Sequence, residues 1–170
     1  MRYPLILRIL KPNRAKLLML LDLEKRWHTT IQAGVAAIQS IPAGSAAEKK
    51  RAAYQVAQQP DWLSVYAGAI SLAAFSLDKS AEPVEAGPIK LPPDTFRIVW
   101  PTPDHPRWSL RLRRLDWDAD GIWLSLHVRR SLARRLDRLS DDQRAQFDQR
   151  AAELHHCGTR WWLQLPPTDL

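Results

Sequence analysis

The sequence predicts an α+β fold: a small antiparallel sheet or barrel with an inserted helical bundle and a C-terminal helix. Three observations support this prediction. A short apolar run rich in branched residues opens the chain, and residues 108–113 and 122–129 alternate between apolar and polar side chains with the two-residue period of strands. Between these stretches, apolar residues recur at helical spacing. The resulting order of strand, helices, strands, helix and strand indicates helices inserted into one sheet.

The length of 170 residues suits a single domain that buries its core without disulfide or metal staples. We expect a helical insertion, a linker, a strand-rich part, and a C-terminal helix and strand, over about 13–78, 79–94, 95–130 and 131–165 respectively. The lone Cys157 indicates a reducing compartment. No signal peptide is evident, and no window approaches the roughly twenty apolar residues of a membrane span. We therefore expect a cytoplasmic protein without a membrane partner.

The first strand is predicted over Tyr3 to Leu10, where Lys11-Pro12 ends the apolar run. Asn13 suits the N-cap of a helix that continues to Ser40. Its apolar face is predicted from residues at helical spacing: Leu17, Leu20, Leu21, Trp27, Ile31, Val35 and Ile38.

Two further helices complete the predicted insertion. Ser45 and Glu48 have the spacing of a capping box, for a helix that reaches about Gln59. Asp61 suits the N-cap of a third helix over Trp62 to Leu77, which is apolar enough to pack on the first one.

The residues on either side of Asp120-Gly121 predict a β-hairpin. Each strand has an apolar face, formed by Trp108, Leu110 and Leu112 and by Ile122, Leu124, Leu126 and Val128. The opposite faces carry Ser109, Arg111 and Arg113 and then Trp123, Ser125, His127 and Arg129. We expect the aliphatic face and Trp108 to be buried, and Trp123 to be exposed.

The C-terminal part is predicted to be mainly helical before one last strand. Ser131 or Ser140 opens the helical stretch, and Gly158 suits the residue that follows its end. Arg160 to Leu165 is predicted as the final strand, in which Trp161 and Trp162 must point to opposite faces.

The charge of the chain favours a polyanionic partner. Lys and Arg number 25 against 18 Asp and Glu, which gives a net charge of +7. A nucleic acid is the first expectation and an acidic membrane surface the second. A general abundance of arginine in the genome would give the same excess without a binding role.

Arginine and tryptophan alternate most densely in and after the hairpin, and this pattern is typical of nucleic-acid binding. Arginine neutralises phosphates, and an exposed aromatic ring stacks on a base. The candidate nucleic-acid-binding residues are Arg111, Arg113, Trp123, His127, Arg129, Arg130 and Arg134. The main function expected is that of a non-enzymatic RNA- or DNA-binding module, with other protein subunits as further partners.

No constellation of catalytic or cofactor-binding residues is found in the sequence. Asp116 to Gly121 matches the opening of a calcium loop, but His127 stands where the bidentate Glu belongs. His155-His156-Cys157, expected at a helix end, supplies too few ligands that face one ion for zinc. We therefore expect no catalytic residue, no metal and no cofactor. A protein–protein adaptor with an exposed tryptophan patch is the alternative, and a small enzyme with scattered carboxylates comes third.

The N-terminal order resembles the front end of TnpB-family RNA-guided nucleases and the related type V CRISPR effectors. The shared features are a short strand ending in Lys11-Pro12-Asn13, a Leu-rich helix with Trp27, and helices that interrupt a sheet. Residues 96–130 then look like the returning strands of their wedge domain. The resemblance implies contacts to guide RNA and the adjacent duplex. Because no RuvC-like domain with its three acidic residues precedes Leu170, it implies a binding part, a split subunit or an accessory protein of a ribonucleoprotein, and carries over no catalytic residue.

Overall fold

A computed structural model describes residues 4–58, 64–79, 87–113 and 121–167. The elements in chain order are β1 Leu5–Ile9, α1 Arg14–Gln39, α2 Ala46–Ala57, α3 Ser64–Asp78, β2 Ile89–Leu91, β3 Phe96–Val99, β4 Ser109–Leu112, β5 Ile122–His127, α4 Arg130–Leu136, α5 Asp141–Asp148, β6 Ala152–Cys157 and β7 Arg160–Leu165. The fold is α+β, with a seven-stranded antiparallel sheet that is nearly closed into a barrel, as predicted.

The strand order β2-β6-β7-β1-β5-β4-β3 explains why the sheet curls. A flat sheet would hold its edge strands about 29 Å apart, six spacings of about 4.8 Å. Yet β2 ends at Leu91 and β3 starts at Phe96, and five residue steps of chain span at most about 18 Å. The two edges must therefore approach each other, and the side chains on the enclosed side become the core.

The helical insertion forms as its local signals predict. The Asn13 side chain accepts a hydrogen bond from the backbone N–H of Lys16 at 2.9 Å, and Ser45 with Glu48 forms the expected capping box. Helix α1 buries Trp27 and Ile38, but Leu21, predicted to face the core, is exposed. The predicted cap Asp61 lies outside the described residues.

Gly34, in the middle of α1, allows the three helices to pack closely. A Cβ built at this position would lie 3.0 Å from the Cβ of Ala74 and 3.5 Å from that of Ala53. The loss of helix propensity at a glycine is thus offset by close approach of α1 to α2 and α3.

The predicted hairpin is present, with Leu110 opposite Leu124 and Arg111 opposite Trp123. The aliphatic side chains of β4 and β5 are buried, and Trp123 is 40% exposed. Trp108, expected in the core, is half-buried against Trp100, with ring centroids 4.6 Å apart. Residues 114–120, in the connection between β4 and β5, lie outside the part of the chain that the structure describes.

Two expectations about the rest of the chain require correction. The range expected to be a linker contains β2, a largely buried strand paired with β6. The stretch from Ala152 to Cys157, expected to end a helix, is a strand, and Gly158 (φ +60°) lies in the turn between β6 and β7. The cause is tertiary, because β6 is hydrogen-bonded between β2 and β7 and its Ala152 and Leu154 side chains are buried in the core.

Among the described helices, none combines the length and the apolar character that crossing a bilayer requires.

Candidate nucleic-acid interface

The outer face of the sheet, defined as the side whose residues alternate with the buried ones, is strongly basic. Every Lys or Arg within the seven strands points to this face: Arg8, Lys90, Arg97, Arg111 and Arg160. The only carboxylate within these strands is that of Glu153. The whole chain has 25 basic and 18 acidic residues, so cationic charge is concentrated on the outer face.

A first cross-strand row on the outer face consists of Arg97, Arg111 and Trp123, which are opposite each other on β3, β4 and β5. The guanidinium of Arg111 lies 5.9 Å from the centre of the Trp123 ring, within the range of a cation–π contact. The His105 ring meets Trp123 edge-on at 6.2 Å, while His105 Nε2 lies 3.1 Å from Ser109 Oγ. Trp123 is therefore held between a cation and an imidazole and still exposes two-fifths of its surface.

A second row crosses four strands and joins the two ends of the chain. His127 on β5 is opposite Arg8 on β1, Arg8 is opposite Trp162 on β7, and Trp162 is opposite His155 on β6. The His155 and Trp162 rings stack with centroids 5.2 Å apart and planes 7° from parallel. Arg8 is exposed and takes part in none of the ion pairs among the described residues.

Glu153, two residues before His155 on β6, holds the His155 ring in its stacked position. His155 Nε2 lies 3.0 Å from Glu153 Oε2, and Lys90 forms an ion pair with the same carboxylate. Partial burial opposes ionisation of Glu153. The hydrogen bond and charge of Lys90, together with those of His155, outweigh it and hold the pKa of Glu153 below its usual value.

Of the seven candidate residues predicted from the sequence, His127 lies in the second row opposite Arg8, and the other six fall into two groups. Arg111 and Trp123 are in contact, and Arg113 follows directly after β4, half-buried. Arg129 was expected on the polar face of the hairpin. This expectation is wrong, because β5 ends at His127. Arg129 is the N-cap residue of α4, and Arg130 and Arg134 lie on that helix, all three exposed.

Sequence reasoning missed Arg8, Arg97, His155 and Trp162. Their positions were partly readable, since Arg8 interrupts an apolar strand in the outward phase and Trp162 must oppose Trp161. The register that places them in rows with the hairpin connects residues more than a hundred positions apart, and no local pattern encodes it.

Within the part of the chain that the structure describes, no group of three His, Cys, Asp or Glu side chains is arranged to hold a metal ion. Most of the calcium-like segment, 116–120, lies outside that part. The two neighbouring histidines point to opposite faces, with His155 against Trp162 and His156 against Trp161. No protein-family profile matches the chain, and no curated protein is significantly similar to it in sequence.

Proposed function

We propose that this protein is a non-enzymatic module that binds RNA or DNA on the outer face of its sheet, as a subunit or accessory protein of a ribonucleoprotein. The observation that carries the proposal is the separation of charge: five basic side chains and one carboxylate on the seven strands. Contact with water alone does not favour an excess of basic residues on a sheet face. Binding of a polyanion does, because the basic side chains neutralise phosphates and release their counterions.

The type of cation also favours nucleic acid. Four of the five basic residues on the strands are arginines. A guanidinium binds phosphate with two parallel hydrogen bonds and stacks on aromatic rings, while an ammonium group offers only a point charge. Three more exposed arginines, Arg129, Arg130 and Arg134, follow β5 in the chain, at the N-cap of α4 and within that helix.

The adaptor alternative requires several exposed aromatic side chains in one patch. Among the described tryptophans only Trp123 is as much as 40% exposed, and it lies beside Arg111. An exposed indole beside a guanidinium is better suited to contact with a base and a phosphate than to a dry protein–protein interface.

The test reverses the charge of the first row, in the double variant R97E/R111E. We expect weaker binding to labelled oligonucleotides, and a log–log salt slope that is shallower by about 1.4–1.8, for two lost phosphate contacts. Fluorescence anisotropy between about 50 and 200 mM salt measures both quantities.

The control variant, R51E/Q55E/Q58E, makes the same total change in charge on exposed positions of α2 and its C-cap. It should keep most of the wild-type affinity and slope. If the double variant binds like the wild type, or if both variants lose affinity equally, the outer face is not the binding surface.

A further inference from the structure

The face of the Trp162 ring that does not stack on His155 is directed across the sheet toward Arg8. Strand β7 lies between β6 and β1, and His155 of β6 stacks on one face of the indole at 5.2 Å. The opposite face of the ring is therefore turned to β1, where Arg8 lies directly opposite Trp162. The half-buried indole of Trp162 and the exposed guanidinium of Arg8, which forms no ion pair among the described residues, are thus cross-strand neighbours on the outer face.

The Trp162 ring is held by its stack on His155 and by the hydrogen bonds and ion pair that hold His155 in turn. Its stacking partner His155 is bound to Glu153 at 3.0 Å. Glu153 in turn forms an ion pair with Lys90 and accepts a hydrogen bond from the Gln164 side chain at 3.4 Å. A platform held in this way loses little side-chain entropy when a ligand stacks on it.

We infer that Trp162 is a stacking platform for an unpaired base, with Arg8 binding the adjoining phosphate, so that the protein recognises single-stranded nucleic acid. This inference rests on the proposed function and narrows its ligand. In a duplex the base faces are covered by their neighbours in the stack, so that only the backbone and the base edges are accessible and no ring can stack on a base. A single strand turns its bases out onto aromatic rings.

Trp123 supplies a second platform at a distance that suits a strand laid across the sheet. It is separated from Trp162 by two strand spacings, about 10 Å, and by four residues along β5, about 13 Å. Both rings flank the exposed Arg8 and His127, so the sugar–phosphate chain between two stacked bases would pass over the guanidinium of Arg8 and the imidazole of His127.

A cross-strand pair of His and Trp also stabilises a sheet without any ligand. The two roles differ in what they predict for substitutions. A purely structural Trp162 affects the unfolding transition and leaves the affinity of the folded protein for single strands and duplexes unchanged. A stacking Trp162 affects the affinity for single strands alone.

The experiment measures binding of the wild type, W162L and W162F to three ligands: a mixed-sequence single strand, the matching duplex, and an abasic single strand of equal length. Each ligand is tested as DNA and, where it can be synthesised, as RNA. We expect W162L to weaken single-strand binding about 5- to 100-fold, with the duplex affinity unchanged. W162F should retain most of the affinity, because its ring still stacks. Circular dichroism melts confirm that each variant is folded.

The abasic strand tests the inference with the unmodified protein, should W162L fail to fold. It keeps the phosphates and lacks the bases, so the wild type should bind it at least fivefold more weakly than the normal strand. Equal binding of normal, abasic and duplex ligands would overturn the single-strand inference and leave the proposed function standing. Absence of binding to all of them would overturn the proposed function itself.

Discussion

Trp161, Trp108 and Trp123 lie on or beside strands of one sheet, but their surroundings differ. Trp161 is 1% exposed, Trp108 is half-buried against Trp100, and Trp123 is 40% exposed. The difference follows from the phase of each residue, because successive side chains in a strand point to opposite faces. Phase in the sequence was sufficient to assign Trp123 outward, but not to show that Trp108 lies only partly inside.

The three tryptophans should therefore differ in their contribution to stability. We expect W161A to lower the free energy of unfolding by about 3–5 kcal/mol, through the cavity it leaves in the core. W108A should cost about 2 kcal/mol, since less of its surface is buried. W123A should cost less than about 1 kcal/mol, the loss of an exposed cation–π contact.

Urea unfolding of the three variants measures these differences. A W123A protein that is destabilised more than W108A would show that the two faces of the hairpin are assigned in reverse, and the basic outer face with them.

His156 connects the C-terminal hairpin to the first helix. Its Nδ1 lies 2.9 Å from a carboxylate oxygen of Glu24 on α1, and its Nε2 lies 2.8 Å from the Gly158 carbonyl oxygen. The imidazole also stacks on Trp161, with centroids 4.1 Å apart and planes 6° from parallel. A single side chain thus links helix, hairpin turn and core.

A double-mutant cycle tests this link. H156F keeps the stack on Trp161 but leaves the partly buried Glu24 without its partner, whereas E24Q weakens the same contact from the other side. We expect each single change to cost about 1–3 kcal/mol, and the coupling between them to be about 1–2 kcal/mol. Strictly additive effects in urea unfolding would mean that the contact contributes nothing.

At the scale of elements, sequence reasoning succeeded where local chemistry decides the structure. The capping residues Asn13, Ser45 and Ser140 begin their helices as predicted. Each cap is a local feature, because its side chain accepts a hydrogen bond from the backbone N–H three residues later. It failed at β2 and β6. Ala152 to Cys157 contains good helix formers, and β2 has only three residues, so their pairing with each other is visible only in three dimensions.

The pairing of β2 with β6 should depend on pH through Glu153. Its pKa is lowered in the folded protein, so its ionised form stabilises the fold above the ordinary pKa of about 4.3, and this contribution is lost as pH falls through the folded-state pKa. The wild type should therefore be more stable than E153Q at about pH 5.5, and the difference should shrink toward about pH 3.

Guanidinium unfolding of the two proteins at each pH checks the prediction. A gap between them that stays constant with pH would contradict it.

At the scale of the molecule, the periodicity and order of the elements predicted the α+β class and the charge predicted a polyanionic partner, but neither predicted the shape of the proposed binding surface. The hairpin supplied Arg111 and Trp123, which are neighbours by local register. The second row needed β1 to lie between β5 and β7, which is a property of the strand order. Sites assembled from distant strands require the order of the sheet, which periodicity does not contain.

The central position of β1 also has a consequence for how the chain reaches this fold. Both ladders of β1 are formed with strands that come more than a hundred residues later, at Arg8–His127 and Leu5–Leu165. Loop closure over such separations is slow, whereas α1, α2 and α3 contact one another over short distances along the chain. During synthesis the helices are therefore expected to associate first, while β1 remains an unpaired apolar strand until β5, and later β7, leaves the ribosome. Over that interval β1 is the segment most exposed to pairing with other chains, and the outward Arg8 in its middle is the kind of charge that discourages such pairing.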